Sequence, residues 1–339
     1  RMTRMRLVLR RVLQALPALF GIVVITFLLT RALPGDPAAY FAGPAATPES
    51  VAQIRHNLGL DRPLPAQFAS YVADLARGDL GQSLTTGQPV GEALLQRLPA
   101  SLELTFSGLL IAVVLGLPLG VVAATRPDSW VDHLCRVVAT AGVSLPTFFT
   151  GLLLVSLFYV ALGWAPAPMG RLDIAFSPPD GPSGFFIPDA LLEGDLALAG
   201  AAARQLVLPA LTLGLFTLAP IARMARAAML AALASDYIRT ARAAGLSRRQ
   251  VLITYALGNA ILPVITTLGM VFSFTLGANV LVEKVFAWPG IGSFAVDALT
   301  ASDYAAVQGF VLAMAVLFIV LNLAIDVIVT LADPRVSAR

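Results

Sequence analysis

The chain has 339 residues, of which 58% are hydrophobic and 13% charged, with a formal net charge of +3 and a mean hydropathy of +0.81. Soluble proteins hold about 25% charged residues, so this composition excludes a soluble globular protein, a disordered chain and a nucleic-acid binder, and it identifies an integral membrane protein. The one cysteine, Cys135, can form no internal disulfide.

Crossing about 30 Å of hydrocarbon takes roughly 20 apolar residues in a helix. Six windows meet that requirement, near residues 12–30, 101–124, 137–162, 205–221, 260–282 and 306–331. The expected fold class is therefore an all-α integral membrane protein with six transmembrane helices. The first window is closed by Arg31-Ala32-Leu33-Pro34 and has no small-x-small cleavage site, so it reads as a retained span and not a signal peptide. Residues 35–100 read as a small helical external segment. Thr47-Pro48-Glu49 starts a helix there, Gly59 stops it, Pro65 starts a second and Gly78 stops that. Phe68, Tyr71, Val72 and Leu75 recur along the second at helical spacing. Within a further external segment, 165–204, Pro, Gly and Asp dominate residues 165–195, which read as an irregular loop. The fourth span is the weakest, being short, holding Pro209 and ending at Pro220.

Basic residues set the expected orientation. Arg1, Arg4, Arg6, Arg10 and Arg11 precede the first span. Six crossings place Arg126 and Arg136, then Arg223, Arg226, Arg239, Arg242, Arg248 and Arg249, then Arg335 and Arg339 on that same side. Most acidic residues fall on the other. Both termini, residues 1–11 and 332–339, are thus expected in the cytoplasm, with 223–259 as the longest cytoplasmic segment.

Catalysis has little material here. His56 precedes Asn57 and His133 precedes Leu134, so H-E-x-x-H is absent. His133-x-Cys135 has no second ligand pair to complete a tetrahedral metal site. There is no G-x-S-x-G. The single lysine follows Val282-Glu283, outside any G-x-x-x-x-G-K-[ST] phosphate loop. No catalytic residue, metal ligand or cofactor site is therefore expected in this chain. Asp326, with Asn322 four residues before it, is a carboxylate in a span and a candidate proton relay. A stand-alone proton-coupled carrier would use it. The structural alternative, a wetted or paired residue near the cytoplasmic end of the last span, is the expectation adopted.

The informative segment is 223–259. Ser235 or Asp236 can cap a short helix running through Ala244, which Gly245 ends. Ser247-Arg248-Arg249-Gln250 then writes a capping box for the next helix. Small residues Ala241, Ala243, Ala244 and Gly245 would let another surface approach the backbone, and the arginines would orient that approach.

The run Asp236-Tyr237-Ile238-Arg239-Thr240-Ala241-Arg242-Ala243-Ala244-Gly245-Leu246 resembles the EAA loop of ATP-binding-cassette importer permeases, in its peptide-transporter form. Further stretches match in order. Leu33-Pro34-Gly35-Asp36-Pro37 is similar to that group's P-G-D-P, and Leu58-Gly59-Leu60-Asp61 and Gly78-Asp79-Leu80-Gly81 to its first external loop. Phe286-Ala287-Trp288-Pro289-Gly290-Ile291-Gly292, Asp303-Tyr304, Val307-Gln308-Gly309 and Asp333-Pro334-Arg335 match its C-terminal part. The whole resembles the B-type permease of dipeptide, oligopeptide, glutathione and nickel importers.

The resemblance implies a type I importer permease fold in the bacterial inner membrane. It also implies the partners: a second, C-type permease subunit, two cytoplasmic ATPase subunits holding ATP and Mg, and an external substrate-binding protein. Peptides are the implied substrate, with nickel or glutathione as alternatives in the same family. Asp236, Tyr237, Arg239, Thr240, Ala241, Arg242, Ala243, Ala244, Gly245 and Leu246 are the implied ATPase-coupling element. Two positions depart from the general pattern. Arg239-Thr240-Ala241 stands where it has Glu-Ala-Ala, and Gly258 where it has a later Pro.

Overall fold

Hydrocarbon supplies no partner for backbone N–H and C=O groups, so a membrane chain satisfies them within helices. The computed structural model describes residues 2–32, 36–43 and 45–332, and the only pairing of β type among them is an isolated bridge between Gln82 and Pro89. In chain order the helices are α1 (Met2–Ala32), α2 (Pro37–Ala42), α3 (Pro48–Asn57), α4 (Leu64–Ala76), α5 (Val90–Thr125), α6 (Trp130–Ser144) and α7 (Thr147–Leu154). They continue as α8 (Phe186–Leu192), α9 (Leu196–Leu233), α10 (Asp236–Ala243), α11 (Arg248–Gln250), α12 (Gly258–Val285), α13 (Ile291–Thr300) and α14 (Tyr304–Ala332). Two wide π-helical stretches are fused to these, Val155–Ala161 after α7 and Val251–Leu257 between α11 and α12.

Among the described residues, four continuous helical stretches are long and apolar enough to cross a membrane: Val90–Thr125, Leu196–Leu233, Arg248–Val285 and Tyr304–Ile325. The expected third span is not one rod. It is a pair, α6 and α7 with its π extension, bent by 101°. Leu145 before Pro146 is driven out of the helical region, to φ −107° and ψ 145°, by the clash a proline imposes on its predecessor. The expected first span lies in α1, whose described apolar part is the shorter stretch Leu16–Leu29. Six crossings are compatible with this set.

The fourth span differs most from expectation. The helix expected at 205–221 runs for 38 residues, with Pro209 and Pro220 inside it. Its apolar window is 72% buried, against 28%, 44% and 22% for the other three, so it is the central helix and not a marginal one. Its first turns also shorten the expected loop at 165–204, and α8 gives helical order to the end of the stretch expected to be irregular. Segment 223–259 is likewise mostly helix: its two ends are extensions of α9 and of the α11–α12 rod.

The chain divides into two units, residues 1–98 with 290–323, and residues 99–289 with 324–339. In the first unit, the external helices α3 and α4 form where expected. Thr47 Oγ1 accepts from Ser50 N at 3.3 Å to cap α3, and Gly59 and Gly78 adopt φ +65° and +79° at the stops. Phe27 of α1 is buried against Phe68 and Tyr71 of α4, at ring-centroid distances of 5.2 and 5.8 Å. Asp303, fully buried at the head of α14, holds the turn around residue 84. It accepts from Ser83 Oγ at 2.7 Å and from Thr85 N and Oγ1 at 3.1 and 3.0 Å. Asp326 lies within α14 but its side chain falls outside the described residues, as do residues 33–35 and 333–335 of the two end motifs.

The second unit is built on α9. Three buried apolar clusters follow one another along it: Leu206, Leu208 and Leu213 with α5 and α12, then Leu218, Ile221 and Ala225 with α5, α6 and α12, then Met229 and Ala232 with α10 and α12. Without a hydrophobic drive between helices in lipid, small residues that permit close backbone approach set such packing. On α5 these stand at four-residue intervals, Gly108, Ala112, Gly116 and Gly120. A methyl group on Gly108 would lie 2.7 Å from Leu213 Cβ, and one on Gly120 would lie 2.5 Å from the Ala222 carbonyl oxygen.

Gly120→Val is therefore expected to force α5 and α9 apart at a cost of about 1–3 kcal/mol, lowering the thermal unfolding temperature in detergent. Gly277→Ala, where no described atom lies within 4 Å of the added carbon, should not lower it, since alanine favours a helix interior over glycine. Equal unfolding temperatures for wild type and Gly120→Val would refute the close approach.

Candidate functional site

The helix α10 is amphipathic by design of its short sequence. Ile238 is fully buried and Ala241 nearly so, both in the cluster formed by the end of α9 and the start of the α11–α12 rod, with Leu246 packed beside them. Asp236, Tyr237, Arg239, Thr240, Arg242, Ala243, Ala244 and Gly245 face outward. Ala241, counted from the sequence among the approachable small residues, is thus turned inward. The exposed small surface is Ala243, Ala244 and Gly245.

The termini of α10 explain its boundaries. Ser235 occupies the N-cap with extended backbone, but its hydroxyl turns back to the Ala232 carbonyl at 2.5 Å and does not cap through its side chain. At the other end Gly245 adopts φ +78°. Leu246 N donates to Ala241 O at 3.2 Å and Gly245 N to Arg242 O at 3.0 Å. These two bonds make a Schellman end, with Leu246 supplying its apolar contact. Among the described residues, no atom outside Gly245 and its two chain neighbours lies within 4 Å of where a side chain would begin, so the glycine is bare toward the outside.

The next helix begins immediately. Gln250 N donates to Ser247 Oγ at 3.3 Å and Ser247 N to Gln250 Oε1 at 3.0 Å, the reciprocal capping box read from the sequence. What the sequence did not reveal is the π-helical stretch Val251–Leu257 that follows, where the hydrogen-bond ladder runs one residue wider. On the exposed rim, Arg239 pairs with Asp236 one turn away, while Arg242, Arg248 and Arg249 are exposed. The result is a small-residue patch edged by positive charge, presented by a helix whose other face is locked into both neighbouring long helices.

A second arrangement, absent from the sequence reading, holds the segment before α8. Arg171 and Glu103 form a buried ion pair at 2.5 Å. Arg171 also donates to Gly184 O at 2.8 Å and lies over the Phe186 ring, 3.4 Å from its centroid. Glu103 accepts from Ile187 N at 3.1 Å. Burial pulls the Arg171 pKa down, and the Glu103 carboxylate opposes that shift. Pairs 68 residues apart in sequence leave no periodic signal. Among the described residues no group of three or more His, Cys, Asp or Glu side chains is arranged to hold a metal ion.

Membrane-length helices packed by glycine contact, with charge and small residues displayed on one connecting helix, define a polytopic membrane protein. The chain belongs to the family of binding-protein-dependent transport system inner membrane components, whose model matches residues 116–338, and the N-terminal model of the same systems matches residues 4–105. It is a permease subunit. Among its relatives, the "Probable D,D-dipeptide transport system permease protein" of Escherichia coli K12 is 45% identical over 94% of this chain and 93% of its own. The di/tripeptide transport system permease protein of Pseudomonas aeruginosa UCBPP-PA14 is 43% identical over 96% and 97%. Among solved structures, an inward-facing form of the MetNI methionine ABC transporter matches 69% of this chain and 93% of its own at 18% identity with a TM-score of 0.51, a likeness of fold.

Removing one partner of the buried pair leaves an uncompensated charge, which costs about 3–5 kcal/mol. Arg171→Met should accordingly lower the unfolding temperature and open residues 171–185 to protease. Glu103→Gln combined with Arg171→Met should recover part of that loss. A double variant less stable than Arg171→Met would overturn the pairing.

Proposed function

We propose that this chain forms half of the translocation pathway of an ATP-driven importer of short peptides, and that α10 with Gly245 is where cytoplasmic ATPase subunits dock and deliver work. The partners in this reading are a second permease subunit across the pathway, two ATPase subunits that hold ATP and Mg, and an external substrate-binding protein. Both termini and α10 face the cytoplasm, in keeping with the segregation of arginines. Peptides are favoured as substrate by the names given to relatives more than 40% identical over nearly the full chain.

The observation that carries the proposal is the geometry of α10. Its inner face is buried against the ends of both α9 and the α11–α12 rod, so force applied to its outer face reaches two membrane-length helices at once. Its outer face is small, bare at Gly245, and edged by arginines. ATP-driven approach of the ATPases would move this helix and shift the balance between inward- and outward-open states.

Substitution at Gly245 tests it. An L-residue at positive φ costs about 1 kcal/mol, and no intrachain clash adds to that. Gly245→Ala should therefore assemble and retain most activity. Gly245→Asp, which also projects negative charge and bulk into the docking surface, should insert normally yet lose co-purifying ATPase or substrate-stimulated ATP hydrolysis in proteoliposomes. Normal assembly and normal stimulated hydrolysis with Gly245→Asp would falsify the assignment.

Orientation has its own test. With Cys135 replaced, single cysteines at the exposed positions Gln88 and Ser177 should react with an impermeant thiol reagent in spheroplasts, and one at Arg249 should react only after lysis. The reverse pattern inverts the topology.

A further inference from the structure

We infer that the cavity on the first turns of α9, walled by residues 163–166 and by the turn from Asp173 to Phe176, is an entry subsite for the zwitterionic backbone of a short peptide. The inference rests on the peptide-import reading for its ligand and on the cavity alone for its place. In the orientation proposed above, the cavity opens on the external side.

Its volume is about 670 Å³, within the roughly 300–1,000 Å³ of ligand sites. The base is one face of α9, open at Gly200, where an added methyl group would meet no described atom within 4 Å. Arg204 and Gln205 follow one turn later on that face. Both walls are fixed. Trp164 stands on a turn in which Trp164 N and Ala165 N donate to Phe158 O at 2.8 and 3.1 Å. Asp173 comes directly after Arg171, held by Glu103, and after Leu172, packed against Leu198 and Ala199. Ala175 N donates to Asp173 Oδ1 at 3.0 Å and Phe176 N to Asp173 O at 3.1 Å, which closes the turn.

The polar groups of this cavity lack the partners that folding normally supplies. Gln205 is only 6% exposed, yet its side-chain amide makes no hydrogen bond among the described residues. An amide taken from water without a partner is costly, and the open side of this one is the cavity. Asp173 and Arg204 are the two charged groups of the lining. They form no ion pair with each other or with any other described residue.

These three groups together select the ligand. A carboxylate accepts from an ammonium group, a guanidinium fork donates to a carboxylate, and an amide both donates to and accepts from a peptide bond. An anion or a cation alone would leave one charge unanswered. A free amino acid would answer both charges and leave Gln205 bare. A short peptide with free termini answers all three, and the exposed rings of Trp164 and Phe176 offer its side chains an apolar surface.

Calorimetric titration of the purified full chain in nanodiscs with alanylphenylalanine, its N-acetyl form and its C-terminal amide tests the site. An exposed ion pair is worth up to about fivefold in affinity. N-acetylation should weaken binding to wild type by about that fivefold and cost nothing further in Asp173→Asn. Amidation should behave in the same way with Arg204→Gln. Gln205→Met should weaken the dipeptide about fivefold, leave free phenylalanine unaffected, and not lower the unfolding temperature, because no bond within the chain is lost. Wild type that does not bind alanylphenylalanine, or modifications that cost the same in wild type and in the matching variants, would overturn the subsite. So would an Arg204→Gln variant that keeps the wild-type peptide profile and instead loses the co-purifying second permease, since the cavity would then be a subunit contact. The import reading fails separately: a matched set of losses with no peptide uptake by the assembled importer in proteoliposomes counts against import and leaves the subsite standing, and uptake without matched losses does the reverse.

Discussion

The position of every element in the larger unit depends on how closely α9 is allowed to approach α5. In water, burying leucines would draw two helices together; in lipid that drive is missing, and distance is set by what the side chains let the backbones do. A four-residue rhythm of glycine and alanine on α5 brings carbonyl and Cα atoms of the two helices into direct contact. With that spacing set, α9 becomes a spine whose remaining faces are taken by α6, α12 and α10. Its two prolines fit inside the same logic. A helix surrounded by protein can tolerate a missing N–H, whereas one facing lipid would leave a bare carbonyl.

The same spine explains how a short connecting helix can matter to distant parts of the unit. Between Leu233 and Arg248 the chain has only α10 and two tight joints. Ile238 and Ala241 fasten the helix to the ends of two long neighbours, leaving no slack between its exposed face and the membrane. In the proposed assembly a lever of this sort requires a stiff attachment on one side and a featureless contact on the other. The Schellman end and the bare Gly245 supply them together.

Which features could be read from sequence follows the range of the forces that make them. The stops at Gly59, Gly78 and Gly245, the Thr47 cap and the Ser247–Gln250 box are made by bonds within six residues, and each is written locally. The weight of α9 was hidden because Pro209 and Pro220 read as marks of a short span, whereas both lie inside a 38-residue helix sheltered by its neighbours. The bend at Leu145 is legible from Pro146, but only if a proline is allowed to break an apolar run. Glu103 with Arg171, Asp132 with Arg226 and Asp303 with Ser83 are partners separated by 68, 94 and 220 residues. Nothing in a single sequence marks such pairs. The inward turn of Ala241 depends on helical phase relative to neighbours, which the family motif does not specify.

The wide stretch Val251–Leu257 has a consequence for how length and rotation are coupled in this protein. A π-helical segment stores an extra residue without lengthening its helix in proportion, so it acts as a phase joint between the capping box and α12. Deleting one residue there would let the ladder tighten to ordinary α pairing. Because the widened ladder has already absorbed that residue, everything on the Ser247 side would keep nearly its present phase relative to α12. The same deletion in the ordinary α ladder of α12 would turn everything before it by about 100°. The direction in which α10 presents its bare glycine is thus buffered against a one-residue change over the seven positions of this stretch.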